Sequence, residues 1–315
     1  MSASVAQALE FIRENRPDSI DKALGLLQNT VYLFSMKVCG HREDAEDTMQ
    51  EVLLKSIPHL SKFEDARALA VWLYKVARNR CISHRRPEKN SSARNVSLEE
   101  LVPDDRELRA LLSKTPSPES TALSRESADH LRQALDTVPR AYRMALVLHD
   151  MEELSTAEVA QVLGLREGTV RVRLHRARLL VRRELENAAR GRKPGTPALH
   201  AAAAPIRLTG CRRLFATLSD YMDGLVDDAV CEQMDRHMAD CQPCQAFLSS
   251  LKQAVELCRS YRPACDSQRA EELRSELMMK YQEATRALQA QTAPWARQSR
   301  KHSHLGISRP RQSTL

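Results

Sequence analysis

The pattern of apolar and polar residues is most regular over residues 155–183, where it predicts two helices joined by a tight turn. Ser155 and Glu158 have the spacing of a capping box, so the first helix begins there. Its apolar face consists of residues at helical spacing: Val159, Val162 and Leu163. Gly164 then supplies the left-handed backbone conformation that ends a helix and turns the chain.

The second predicted helix combines a continuous apolar stripe with strongly basic remaining faces. The stripe recurs every three or four residues, at Val170, Leu174, Ala177 and Val181. From Arg166 to Arg183 the sequence contains seven arginines and a single acidic residue, Glu167. Two short helices of this kind indicate a helix-turn-helix whose second helix enters the major groove of DNA. The alternative is a helical hairpin with a solvated basic face.

The composition favours an all-α protein with a polyanionic partner. A net charge of +7 and an isoelectric point of about 9.1 favour nucleic acid. Only 9 glycines in 315 residues, and few alternating apolar runs, argue against β-sheet. No apolar run approaches the roughly 18 residues of a membrane span, and the N-terminus lacks the apolar block of a signal peptide. We therefore expect a cytoplasmic protein with no membrane partner. Eight cysteines in a reducing compartment are not expected to form a disulfide framework, so their spacing is read first for metal binding.

Two charged segments nearer the N-terminus differ in sign. Residues 41–51 carry five acids and one arginine, and such a helix is ordinarily only solvated surface. Residues 67–86 carry six basic residues and no acid, interleaved with aromatic side chains. Basic side chains can follow a phosphate backbone while aromatic or amide groups receive unstacked bases, which is how single-stranded DNA is bound. The candidates for base contact are Phe63, Asn79 and Arg80.

At these residues the chain resembles a known family. The stretches DAEDTMQEV and WLYKVARNRCISHRR, followed by a linker and the helix-turn-helix, are similar to the two conserved domains of an extracytoplasmic-function (ECF) sigma factor of bacterial RNA polymerase. The resemblance covers about residues 20–188. It implies two partners, promoter DNA and core polymerase, the latter through its β′ clamp and β subunit. It assigns clamp docking to polar residues of the acidic helix: Asp44, Glu46, Asp47 and Gln50.

The same resemblance implies contacts with two promoter elements. Recognition of the −10 element falls to Phe63, Asn79 and Arg80, with Arg85 and Arg86 on phosphate. Recognition of the −35 element falls to positions off the apolar stripe of the second helix: Glu167, Thr169, Arg171, Arg173 and Arg176. Arginine that binds guanine through two hydrogen bonds is the commonest specific contact, worth about 1–3 kcal/mol of discrimination.

Beyond the helix-turn-helix, the sequence has the ligand spacing of a zinc site. His237 and Cys241 lie one turn apart on a helix face, Cys244 completes a Cys-x2-Cys knuckle, and Cys211 supplies a fourth ligand. Three thiolates and an imidazole favour tetrahedral zinc, whose binding energy also helps so small a domain to fold. Cys231 competes as the first ligand, and the alternative is a helical hairpin whose thiols never meet. The segment resembles the zinc-binding anti-sigma domain.

Together these features predict an all-α chain of three small domains: two helical domains that bind polymerase and DNA, the second a helix-turn-helix, and a short helical zinc domain. The predicted boundaries are 1–19 for an N-terminal helix, 20–88 for the polymerase- and −10-binding domain, 89–124 for a flexible linker, 125–190 for the helix-turn-helix, 191–208 for a second linker, 209–262 for the zinc domain, and 263–315 for a helix with a disordered basic tail. Our hypothesis is a sigma factor regulated in cis. The tethered C-terminal domain masks the surfaces of the sigma domains, or activates them.

Two other classes of function compete with this hypothesis. A helix-turn-helix regulator with a metal- or redox-sensing tail would bind duplex operator DNA without polymerase, but it leaves the charged segments of residues 41–86 without a purpose. An enzyme is not expected, because a site of three cysteines and one histidine has no open coordination position for water. No Ser/His/Asp set or phosphate-binding loop accompanies it.

Overall fold

The structure, a computed structural model, describes residues 3–14, 16–83, 101, 125–193, 195, 209–263, 268–283 and 286. Within these residues every regular element is a helix, which confirms the all-α prediction. Nearly all of the linker predicted at 89–124, and the C-terminal tail, lie outside the described residues. Among the described helices, none combines the length and the apolar character needed to cross a bilayer.

Four helices form the N-terminal group. They are α1 (Ala3–Glu14), α2 (Pro17–Cys39), α3 (Arg42–Ser56) and α4 (Ala66–Ser83), with a 3₁₀ turn at Ile57–Lys62. Gly40 ends α2 at a φ of 75°, in the left-handed region that glycine adopts without strain. Each helix contributes fully buried apolar side chains to a common core, among them Val5, Phe34, Leu53 and Leu73.

The helix-turn-helix lies in the second group, where the local predictions are confirmed. This group comprises α5 (Arg125–Thr137), α6 (Arg140–Leu146, continued by a π-helical turn at Val147–Met151), α7 (Thr156–Leu163) and α8 (Glu167–Ala189). The Ser155 hydroxyl accepts a hydrogen bond from the Glu158 amide, and the Glu158 carboxylate accepts one from the Ser155 amide. Gly164 has a φ of 64°. The predicted apolar stripe of α8 is buried at every position: Val170, Leu174, Ala177 and Val181.

Four further helices form what we term the C-terminal module, residues 209–283. They are α9 (Thr209–Met222), α10 (Asp228–Asp240), α11 (Gln242–Ser260) and α12 (residues 268–283). The Asp227 carboxylate caps α10 by accepting a hydrogen bond from the Val230 amide. Between α9 and α11, the rings of Phe215 and Phe247 meet edge to face with centroids 4.8 Å apart.

The three groups of helices pack against one another. α4 lies against α7, where Arg67 forms an ion pair with Glu158. α9 and α11 lie along α8. α12 lies on α2, where Gln28 Nε2 donates a hydrogen bond of 2.8 Å to the Ala270 carbonyl oxygen. The C-terminal module therefore contacts both preceding groups.

Candidate polymerase, DNA and metal sites

The four residues predicted to dock on the polymerase clamp lie on α3. This helix buries an apolar face in the N-terminal core and directs its acidic residues outward. Asp47 is exposed, and the other three are half-buried: Asp44, Glu46 and Gln50. Acidic residues in the first turn interact favourably with the positive end of the helix.

The C-terminal module covers part of this acidic surface. Arg269 Nε of α12 lies 3.2 Å from a carboxylate oxygen of Glu46. Gln50 Nε2 donates a hydrogen bond of 3.4 Å to the Glu276 carboxylate, also on α12. Two of the four predicted clamp contacts are therefore in contact with the chain's own C-terminal helix.

Two of the predicted −10 residues lie near the end of α4. Asn79 is exposed, and its Oδ1 accepts a hydrogen bond of 2.9 Å from Arg78 Nη1. Arg80 Nε lies 2.5 Å from a carboxylate oxygen of Glu51 on α3. The amide of Asn79 is thus accessible to a base, whereas Arg80 is already in an ion pair. The two predicted phosphate contacts lie outside the described residues: Arg85 and Arg86.

The third predicted −10 residue, Phe63, belongs to an aromatic cluster before α4. Its ring centroid lies 5.7 Å from that of Trp72, which in turn meets His59 at 5.6 Å. Phe63 is half-buried. The neighbouring aromatic side chains hold the Phe63 ring in place, and a base can contact the part of the ring that remains exposed.

All five predicted −35 residues lie in the first half of α8. They are exposed or half-buried: Glu167, Thr169, Arg171, Arg173 and Arg176. Arg176 Nη1 donates a hydrogen bond of 3.0 Å to the Tyr142 hydroxyl, and its guanidinium lies 5.9 Å from the ring centroid. Arg166 precedes the helix without forming a side-chain cap. This half of α8 therefore presents a basic surface of arginines that DNA can reach.

The second half of α8 is different, because its arginines bind the chain itself. Arg178 is buried and bonds Asp150 at 2.6 Å and Asp223 at 2.8 Å. Burial alone would raise the pKa of Asp150, but its bonds to Arg178 lower it overall. Arg182 lies 3.9 Å from the Phe247 ring centroid. The count of seven arginines therefore overstates the basic surface of this helix, since these two face the C-terminal module and the π turn.

Three of the four predicted zinc ligands come together at the junction of α10 and α11. The ligand atoms of His237, Cys241 and Cys244 all lie within 4.8 Å of one another. His237 Nε2 is 3.2 Å from Cys244 Sγ. A tetrahedral zinc ion holds nitrogen and sulfur ligands about 3.5–3.8 Å apart, so this donor set fits zinc after small shifts.

The structure gives different information on the two candidates for the fourth metal ligand, Cys211 and Cys231. Cys211 lies within α9, but its side chain is outside the described residues. The Cys231 thiol lies 3.8 Å from an Asp235 carboxylate oxygen and, within the described residues, is not part of the His/Cys/Cys group. The described geometry therefore does not support Cys231 as a competing ligand.

Sequence reasoning did not find the contact of α12 with α3. Residues 268–283 have a helical pattern, but the pattern does not indicate where the helix docks. The one signal in the sequence is the opposite charge of Arg269 and the acidic helix. Opposite charges occur at many positions along this chain, so charge alone could not identify Arg269 as the residue that contacts α3.

Comparisons with known proteins indicate the class of protein that this chain resembles. The family described as "Sigma-70 region 2" matches residues 25–90, and "Sigma-70, region 4" matches residues 129–181. Both matched regions end before the C-terminal module. The chain therefore matches both sigma-70 regions, with region 2 before region 4.

The relatives narrow the class to ECF sigma factors. The chain is 24% identical to the ECF RNA polymerase sigma factor SigW of Bacillus subtilis over 190 residues, which are 59% of this chain and all of SigW. It is 30% identical to the ECF RNA polymerase sigma factor SigE of Mycolicibacterium smegmatis, over 48% of this chain and 56% of the relative. For the sigma-E factor of Escherichia coli K12 the identity is 29%, over 43% and 70%. The two sigma-70 regions and these ECF relatives together support a sigma factor role for the chain.

One solved structure is also similar. It is a co-crystal structure of the sigma factor RpoE with the anti-sigma factor NepR from Bartonella quintana, at 20% identity and a TM-score of 0.35. The match covers 51% of this chain and 92% of that one.

Proposed function

We propose that the C-terminal module holds this sigma factor in a closed state, and that the open chain binds core RNA polymerase and promoter DNA. In the open chain, α3 docks on the β′ clamp through Asp44, Glu46, Asp47 and Gln50. The −10 element is bound by Phe63, Asn79 and Arg80, with Arg85 and Arg86 on phosphate. The −35 element is bound by Glu167, Thr169, Arg171, Arg173 and Arg176.

The observation that carries the proposal is the position of α12 on α3. Arg269 binds the Glu46 carboxylate, and Gln50 is hydrogen-bonded to Glu276. A helix that lies over Glu46 and Gln50 occupies the space that the polymerase needs in order to reach these side chains. Polymerase must therefore displace α12 before it can use these residues, so the module acts as a competitor held at high effective concentration by its tether.

The packing of the two sigma domains adds a second reason for a closed state. Arg67 of α4 pairs with Glu158 of α7, and Arg78 Nη2 donates a hydrogen bond of 3.0 Å to the Leu163 carbonyl oxygen. The −10 and −35 elements are centred about 25 base pairs apart, which is about 85 Å at 3.4 Å per base pair. Domains in direct contact cannot reach both elements together, so promoter binding requires these contacts to open.

Zinc is the cofactor that we propose for the C-terminal module. His237, Cys241 and Cys244 would hold it, with Cys211 as the fourth ligand. A bound zinc ion would tie α9 to the junction of α10 and α11 and so add folding energy to the module. Removal of the ion, or oxidation of its thiolates, would loosen the module that covers the sigma domains.

Binding to core polymerase tests the proposal directly. We would compare the full chain, a chain ending at Ala204, and a control chain ending at Ala290 that keeps the module. We expect the chain ending at Ala204 to bind core enzyme more tightly and to give more run-off transcript, and the control to behave as the full chain. Equal binding by all three would contradict masking, and weaker binding without the module would indicate that the module activates.

A gel shift separates a sigma factor from a conventional regulator. We expect the chain ending at Ala204 to shift promoter DNA only when core polymerase is present. A tight, sequence-specific shift of duplex DNA by the chain alone would instead favour the helix-turn-helix regulator. Chelator treatment of the full chain should move its transcription toward that of the shortened chain if zinc maintains the closed state.

A further inference from the structure

Two cysteines that neither DNA binding nor the metal site uses lie together inside the N-terminal group. Cys39 is the last residue of α2, and Cys81 lies in the last turn of α4. Their sulfur atoms are 2.9 Å apart, and the side chains are 6% and 1% exposed. The Thr48 hydroxyl lies 4.0 Å from Cys81 Sγ. The fold therefore places two reduced thiols in direct contact, although 41 residues separate them in the sequence.

The two thiols are electrostatically unequal. The Cys39 thiol donates its hydrogen bond to Cys81, which raises the pKa of Cys39 and lowers that of Cys81. Arg140 of α6 adds positive charge, since its Nη1 donates a hydrogen bond of 2.9 Å to the Cys81 carbonyl oxygen. Cys81 is therefore the better nucleophile of the pair, and Cys39 is placed to resolve an oxidised product of it.

We propose that Cys39 and Cys81 form a redox-active dithiol that closes to a disulfide when a peroxide oxidises it. The Cys81 thiolate attacks one oxygen of hydrogen peroxide, so that the O–O bond breaks, a sulfenic acid forms and hydroxide leaves. Cys39 sulfur then attacks the sulfenic sulfur, the S–O bond breaks, and the departing hydroxyl takes up the Cys39 proton as water. Two thiols lose two electrons in all, and the peroxide gains them.

A disulfide between Cys39 and Cys81 would restrain one particular segment of the chain. It would close a loop of residues 39–81, which includes α3 and most of α4. The second group of helices contacts the same corner, because Arg143 Nη1 donates a hydrogen bond of 3.2 Å to the Val38 carbonyl oxygen. Oxidation would therefore fix the segment that carries the proposed clamp and −10 contacts. This inference does not depend on the C-terminal module or on zinc.

Peptide mapping tests the site on the full-length chain. Trypsin releases Cys39 in VCGHR and Cys81 in CISHR. The reduced protein is treated with hydrogen peroxide, free thiols are alkylated, and the digest is analysed without reduction. We expect one linked peptide, lighter than the sum of its two parts by two hydrogen atoms. Recovery of both peptides in their alkylated forms, or linked to other cysteines, would overturn the proposal.

Single-cysteine variants test the assigned order of attack. In Cys39→Ser, the sulfenic acid at Cys81 should persist and be trapped by dimedone, whereas Cys81→Ser should give little trapping at Cys39. Cys258→Ser, which removes a buried cysteine of α11, is the matched control and should leave the linked peptide unchanged. Trapping at Cys39 equal to that at Cys81 would overturn the assignment of Cys81 as the nucleophile. The unmodified chain should also unfold at a higher temperature when oxidised, a shift that both single-cysteine variants should lack.

Discussion

Two of the contacts that the C-terminal module makes with the sigma domains differ in their exposure to water. Against α8, Arg178 and Asp223 pair with side chains that are 0% and 11% exposed. Against α3, Arg269 reaches Glu46 while 39% of its own side chain stays exposed. An exposed pair contributes about 0–1 kcal/mol, whereas breaking a buried pair by removing one partner costs about 3–5 kcal/mol.

This difference indicates which contact opens first. Around Arg178 the module also contributes the Phe247 ring, which stacks on Arg182, and Ser219, which is hydrogen-bonded to His175. No comparable buried polar network joins α12 to α3 within the described residues. We therefore expect the module to stay anchored on α8 while α12 leaves and rejoins α3.

The largest predicted effect comes from removing the buried cation at the α8 contact. Arg178→Ala removes the arginine that Asp150 and Asp223 share, so we expect the free energy of unfolding to fall by about 3–5 kcal/mol. Urea denaturation followed by circular dichroism measures this loss.

A matched arginine provides the control for that measurement. Arg236 forms an exposed i,i+4 pair with Glu232 on α10, and Arg236→Ala should change stability by about 0.5 kcal/mol or less. Equal losses in the two variants would mean that burial does not distinguish these ion pairs, and the comparison of the two contacts would fail.

The next effect is a pH dependence that originates in the α8 contact. His175 Nδ1 lies 2.8 Å from the Ser219 hydroxyl, and burial, with Arg178 and Arg176 nearby, lowers its pKa to about 4. Because the folded pKa lies below the unfolded value of about 6.5, the unfolded chain binds the proton more tightly. The stabilisation is therefore present above about pH 6.5 and is lost as the pH falls toward 4, by about 3 kcal/mol in all.

Comparing His175→Gln with the unmodified chain isolates this effect from the titration of carboxylates. We expect the variant to lose much of the slope of unfolding free energy against pH between about 6.5 and 4. His41→Gln, at an exposed position before α3, should retain the slope. If His175→Gln left the slope of unfolding free energy against pH unchanged, the titration of His175 would not be the source of this pH dependence.

The parts of the fold that the sequence predicted are those set by local chemistry. The start of α7 follows from the Ser155 cap, and the turn between α7 and α8 follows from Gly164; each acts within a few residues of the chain. The cluster of His237, Cys241 and Cys244 follows in the same way, because these residues lie within an eight-residue stretch of the sequence.

The remaining features depend on contacts between distant segments. Arg178 lies in the same arginine-rich segment as the arginines that face solvent, and the packing of α9 and the π turn buries it. Cys39 and Cys81 meet because α2 and α4 pack in one core, which their spacing in the sequence does not reveal. For the same reason, a helical pattern predicted α12 but not its place on α3.

The smallest predicted effect concerns the exposed contact between α12 and α3. It should change function most directly, because this contact covers the proposed clamp surface. Arg269→Glu replaces an attraction to Glu46 by a repulsion, so we expect the fraction of chains with α12 away from α3 to rise by up to about fivefold. Energy transfer between dyes on α12 and α2 measures that fraction, and added salt should reproduce part of the change in the unmodified chain. Arg262→Glu is the matched control, because Arg262 lies in the same module and donates its hydrogen bond to the nearby Arg259 carbonyl oxygen. If charge at position 269 left the energy transfer unchanged while Arg178→Ala released α12, the module would move as one rigid unit, and α12 would not be its reversible part.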